Sequence, residues 1–87
     1  MSQVMFSEQA WSEYLYWQTQ DKKTLKRINR LIESLARNDG SVIGKAEILK
    51  HHQHSLRSLR IDEKNRLIYE IQGDTIRISQ VRGHYDD

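Results

Sequence analysis

Arg66-Leu67-Ile68-Tyr69-Glu70-Ile71-Gln72-Gly73-Asp74-Thr75-Ile76-Arg77-Ile78 is the stretch that decides the fold. Leu67, Tyr69 and Ile71 alternate with Arg66, Ile68 and Glu70, the period of two expected of a strand with one buried face, and Ile76 and Ile78 follow. Gly73-Asp74, lying between the two apolar runs, reads as a two-residue hairpin turn. Another strand spans about Arg57 to Ile61 and is joined to the hairpin by Asp62-Glu63-Lys64-Asn65.

Toward the N-terminus the period changes to that of helices. Asp21 can cap a helix from Lys22 to about Asn38, ended by Asp39-Gly40, where glycine is free to take the left-handed cap conformation. Steps of about 100° place Leu25, Ile28, Leu31, Ile32 and Leu35 in one arc. Lys22, Lys23, Lys26, Arg27, Arg30 and Arg37 fall opposite, with Glu33 as the only acid among them. Ser7 can cap an earlier helix running through Gln18, in which Trp11, Tyr14 and Leu15 share a face, and Val4-Met5-Phe6 reads as a short strand before it. The expectation is an α+β domain, β-α-α-β-β-β, with two N-terminal helices on one face of a small antiparallel sheet.

Eighty-seven residues, 37% of them apolar, suit one domain covering residues 1–87. The chain has no cysteine, which excludes disulfides and thiolate metal sites. The first six residues carry no Lys or Arg and Glu8 interrupts the apolar run, so no export signal is read and a cytoplasmic protein is expected. No stretch approaches the length of a membrane-spanning helix. Net charge is only +2, but residues 21–64 hold eleven bases against six acids, which suits a polyanionic partner.

Glu47, Lys50, Arg60, Arg66, His84 and Tyr85 are the ionisable residues that the sheet and its rim could bring together. Each alone has a plain explanation as a solvated side chain. As a set they suit RNA cleavage by internal transesterification, which needs a base for the ribose 2′-OH, a cation for the phosphorane and an acid for the departing 5′-oxygen. Glutamate, arginine and histidine can fill those roles without a metal, and the sequence has no carboxylate cluster of the kind that holds Mg²⁺. His51, His52 and His54 could invite zinc, but no thiolate or well-placed carboxylate completes a tetrahedral site, so no metal and no cofactor is expected. Trp11, Tyr14, Tyr16 and Trp17 are read as packing residues rather than platforms for bases.

Trp11-Ser12-Glu13-Tyr14-Leu15-Tyr16-Trp17-Gln18, followed by Asp21-Lys22-Lys23-Thr24-Leu25-Lys26-Arg27-Ile28-Asn29, resembles the helical half of the YoeB/Txe toxins, members of the RelE/ParE superfamily. Gly44-Lys45-Ala46-Glu47-Ile48-Leu49-Lys50, Asn65-Arg66-Leu67-Ile68-Tyr69 and the terminal His84-Tyr85 extend the resemblance over nearly the whole chain. It implies ribosome-dependent cleavage of mRNA in the decoding site (A site) and inhibition by a YefM-type antitoxin. It also implies operator DNA bound through the toxin–antitoxin complex, and a homodimer. Carried over by position, Glu47 resembles the general base, Arg66 the transition-state cation and His84 the general acid, with Tyr85 orienting the scissile nucleotide. Lys50, Arg60 and Arg57 are the substrate-binding residues implied. Ala46 and Ile48 stand where the family usually has prolines, and Arg57-Ser58-Leu59-Arg60 where it usually shows Trp-Ser-Arg-Arg. Two alternatives stay open: a ParE-like toxin directed at gyrase, and a catalytically inactive module that joins an antitoxin on operator DNA.

Overall fold

In the computed structural model, residues 2–37, 45–49 and 56–84 are described. In chain order these form β1 (Gln3–Phe6), α1 (Glu8–Gln20), α2 (Lys22–Arg37), β2 (Glu47–Ile48), β3 (Arg57–Arg60), β4 (Arg66–Gln72) and β5 (Thr75–Gln80).

Both helices start where the sequence offers a capping oxygen. The Ser7 hydroxyl oxygen accepts from the Ala10 N–H at 3.1 Å to open α1. Asp21 closes α1, donating its N–H to the Trp17 carbonyl at 3.1 Å, and opens α2 by accepting from the Lys23 and Thr24 amides at 3.1 and 3.2 Å. Hydrogen bonds from the Thr24 hydroxyl and amide hold the Asp21 carboxyl below the usual carboxylate range. The helices therefore turn on a single residue.

The strands form one five-stranded sheet in the order β1-β5-β4-β3-β2. β3 to β5 are antiparallel neighbours, as expected, with the β4–β5 hairpin turning at Gly73, whose φ of 58° favours glycine; the two-residue β2, antiparallel to β3, is a strand beyond the expected β-α-α-β-β-β order. The sheet as a whole is mixed rather than purely antiparallel, because β1 lies parallel to β5 along the edge. That pairing joins residues about seventy positions apart, so no local turn signal announces it. A bulge interrupts β4–β5: Ile68 pairs with Gln80 and Tyr69 with Ile78, leaving Ser79 as the extra residue.

Period-two alternation and cross-strand pairing put Leu59, Leu67, Tyr69, Ile76 and Ile78 on one face, where they bury against Ala10, Trp17, Ile28, Leu31 and Leu35 of the helices. The α2 arc is as expected: Ile28, Leu31 and Leu35 are buried, Leu25 and Ile32 pack beside them, and the six bases opposite are exposed. The α1 face departs from expectation. Ala10 and Trp17 face the core, while Trp11 and Leu15 stay 50% and 44% exposed. Aromatic residues surround α1 on several sides, so its period could not choose a face. The choice falls to alanine, which permits close approach, and to the Trp17 indole N–H, which donates to the Val81 carbonyl at 2.9 Å. Trp11 instead stacks on Tyr14 and meets Phe6 edge-on, with ring centroids 5.8 Å apart in both pairs.

Candidate functional site

The sheet face turned away from the helices carries the ionisable residues. Glu47 of β2 pairs with Ser58, Ser58 with Ile68, and Ile68 with Gln80, making one row across four strands. Two residues along, Arg60 of β3 pairs directly with Arg66 of β4. Pairs on adjacent strands share a face, and so do residues two apart in a strand, so Glu47, Arg60 and Arg66 stand on the same side. Glu47 lies two strands over and two residues along from Arg66, about 12 Å between Cα atoms from standard strand spacing and rise. Between the polar ends of the row, Ser58 and Ile68 are buried.

Backbone contacts hold the segment of His84 beside the start of β4. The Arg66 N–H donates to the Gly83 carbonyl at 3.0 Å, laying the chain beyond β5 against the start of β4. Gln80 donates its side-chain amide to the Gly83 and His84 carbonyls at 3.2 and 3.0 Å. Helix α1 fastens the same segment from the other side. The Glu13 carboxylate accepts from the Val81 N–H at 2.8 Å, and the Arg82 guanidinium sits 3.7 Å over the Tyr16 ring. His84 itself is exposed at the rim, one residue from the atom that pairs with Arg66.

The β3–β4 turn shapes the arginine. The Asp62 carboxylate accepts from the Lys64 and Asn65 amides, each at 2.8 Å, and from the Asn65 side chain at 3.0 Å. Partial desolvation raises its pKa, but those hydrogen bonds and the nearby Arg66 charge outweigh it, so the carboxyl sits below its ordinary range. The Arg66 guanidinium donates from one nitrogen to the Asp62 and Asn65 carbonyls, at 2.7 and 3.2 Å.

Arg57 does not join this group. It pairs with Tyr69 on the helix-facing side, so the structure does not bring it together with Arg60: residues three apart in a strand point to opposite faces. Burial pushes the Tyr69 phenol above its usual pKa, with the charge and side-chain contact of Arg57 opposing; that contact falls short of a well-aligned hydrogen bond, and the hydroxyl has no other partner among the described residues. Lys50 and Tyr85, like His51, His52 and His54, lie outside the described residues. Among the described residues no three histidine or carboxylate side chains group as metal ligands.

Between α2 and β3, Arg27, Lys45 and Arg60 line a groove together with Leu31 and Leu59, with the Arg27 guanidinium 3.5 Å from the Arg60 carbonyl. The cationic stripe of α2 thus continues onto the strand that carries Arg60. Asn65, Gln80, Glu13 and Trp17 were not read as site residues from the sequence. Only Asn65 carries a local signal, standing three residues after an aspartate in a turn.

Fold and charged face together define a small α+β domain of two helices on a five-stranded mixed sheet, with a cationic surface. The chain superposes on the YoeB dimer structure from Staphylococcus aureus with a TM-score of 0.83 at 37% identity, covering 97% of this chain and 98% of that one. The YoeB-YefM complex from the same organism gives 0.81 at 37% identity, over 98% and 99% of the two chains. Toxin YoeB of Escherichia coli (strain K12) is 42% identical over 94% of this chain and 98% of that protein. The chain belongs to the YoeB-like toxins of bacterial type II toxin-antitoxin systems, whose family model matches residues 6–85.

Proposed function

We propose that this toxin is a ribosome-dependent endoribonuclease that cuts mRNA in the decoding site and so stops translation. The observation that carries the reading is the placement of Glu47, Arg60 and Arg66 on one sheet face with His84 at its rim. Glu47 takes the proton of the ribose 2′-OH, and the 2′-oxygen forms a bond to phosphorus. Arg66 stabilises the added negative charge. As the bond from phosphorus to the 5′-oxygen breaks, His84 gives that oxygen a proton. The products are a 2′,3′-cyclic phosphate and a 5′-hydroxyl, with no metal in the step. Tyr85 orients the scissile nucleotide, and Lys50 and Arg60 hold neighbouring phosphates. Arg57, on the other face, is left out of the substrate contacts.

The groove of Arg27, Lys45 and Arg60, continuous with the exposed bases of α2, supports contact with ribosomal RNA, where phosphate contacts make affinity fall with salt. Such a target places the protein in the cytoplasm. Among the described residues no helix is long and apolar enough to cross a membrane. The complex and the dimer found for the Staphylococcus aureus relatives support a YefM-type antitoxin partner and a homodimer here. Operator DNA is the further partner we propose, bound through the toxin–antitoxin complex.

Growth arrest on expression, measured alongside antitoxin binding, tests the reading. Glu47→Ala and Arg66→Ala should each abolish arrest while leaving the antitoxin complex intact. Arrest that survives both substitutions would overturn it in favour of a toxin that acts by binding alone.

A further inference from the structure

The Asp62–Asn65 turn touches Arg66 and the residue that precedes His84, the two proposed catalytic partners of Glu47 being Arg66 and His84. Through its carbonyls it grips one guanidinium nitrogen of Arg66, which fixes the plane of the fork. Through the Asn65 side chain it also reaches the C-terminal segment, because Asn65 Oδ1 accepts from the Gly83 N–H at 2.8 Å. The other half of the Asn65 amide donates to both Asp62 oxygens at 3.0 Å, so the side chain has one orientation in which all its contacts are met. Gly83 is held on both sides: its N–H by Asn65 and its carbonyl by the Arg66 N–H and Gln80. Its φ of 88° makes the bend that delivers His84 to the rim.

We infer that Asn65, held by Asp62, is a positioning residue for the cleavage reaction: its amide sets the distance between the Arg66 guanidinium and His84. The inference rests on the nuclease reading. Neither side chain touches RNA in this role. An amide is required because it must accept from Gly83 and donate to a carboxylate at once. A carboxylate in place of the Asn65 amide keeps the first contact and sets two negative charges against each other. Exchanging the pair restores complementarity. The amide, moved to position 62, can accept from the backbone N–H groups of Lys64 and position 65 while donating to the carboxylate now at position 65.

The test is a pair-exchange cycle on programmed ribosomes, reading the single-turnover cleavage rate at saturating protein and, separately, ribosome affinity. Asn65→Ala and Asn65→Asp should slow cleavage by about 10–100-fold, the range expected when a reacting group is displaced by about 1 Å, with affinity within about twofold of the unaltered protein. Asp62→Asn/Asn65→Asp should recover most of the rate. Cleavage by Asn65→Ala at the unaltered rate, a double variant as slow as Asn65→Asp, or a loss of affinity matching the loss of rate would each overturn the inference. His84→Ala is the control. If it abolishes cleavage while the Asn65 variants cut normally, the inference alone fails; if the unaltered protein does not cut, it fails together with the nuclease reading.

Discussion

Trp17→Phe isolates the fastening between α1 and the segment that ends at His84. Trp17 is 8% exposed, and its indole N–H is the donor to the Val81 carbonyl at 2.9 Å. Phenylalanine keeps an aromatic ring in the core but has no donor, so that buried carbonyl is left without its partner, at a cost of about 1–3 kcal/mol. The smaller ring also gives up apolar contact worth about 1–2 kcal/mol. A total of roughly 2–5 kcal/mol, at about 4–8 °C per kcal/mol for a domain of this size, lowers Tm by at least about 8 °C. Thermal unfolding followed by circular dichroism reads this directly. Trp11→Phe serves as the internal comparison, because Trp11 is 50% exposed and should cost under about 1 kcal/mol. A Trp17→Phe protein that melts within about 3 °C of the unaltered one, or no lower than Trp11→Phe, would refute the claim that this hydrogen bond and its packing fix the C-terminal segment.

Tyr69→Phe should leave stability unchanged or raise Tm by a few degrees, because among the described residues the buried hydroxyl has no well-aligned hydrogen bond to lose and only the nearby Arg57 guanidinium faces it; a clear fall in Tm would show that this contact holds the strand. Asp62 yields a pH dependence. Its folded pKa is depressed, so its contribution is fully present above the unfolded value of about 3.9 and disappears as pH falls through the folded value. The difference in urea midpoint between the unaltered protein and Asp62→Asn should therefore shrink between pH 7 and pH 3, and a difference that widens toward acid would contradict the assignment.

What the sequence made legible follows from where its signals are local. Ser7 and Asp21 announced their helices because a cap is read over three residues, and Gly73-Asp74 announced its hairpin for the same reason. The α2 face was plain because apolar and basic residues segregate around it. On α1, Trp11, Tyr14, Leu15, Tyr16 and Trp17 ring the helix, and the close approach at Ala10 together with the Trp17 contact to Val81, 64 positions away, picks the buried side. The parallel β1–β5 pairing and the two-residue β2 depend on partners distant in sequence, which periodicity cannot supply. The candidate site was partly legible. Glu47, Arg60, Arg66 and His84 were named as a set from their chemistry and the family resemblance, but strand parity alone could have separated Arg57 from Arg60. The supports of His84, namely Glu13, Asn65 and Gln80, act through backbone groups that no side-chain pattern marks.

The chemistry of the cut ends tests the central claim most directly. Purified protein is incubated with ribosomes carrying a defined mRNA and a vacant decoding site, and the termini of the fragments are identified by mass. Attack by the 2′-oxygen predicts a single cut in the decoding-site codon, with a 2′,3′-cyclic phosphate upstream and a 5′-hydroxyl downstream, lost in Glu47→Gln and His84→Ala. Fragments that begin with a 5′-phosphate, or an mRNA left whole, would contradict it.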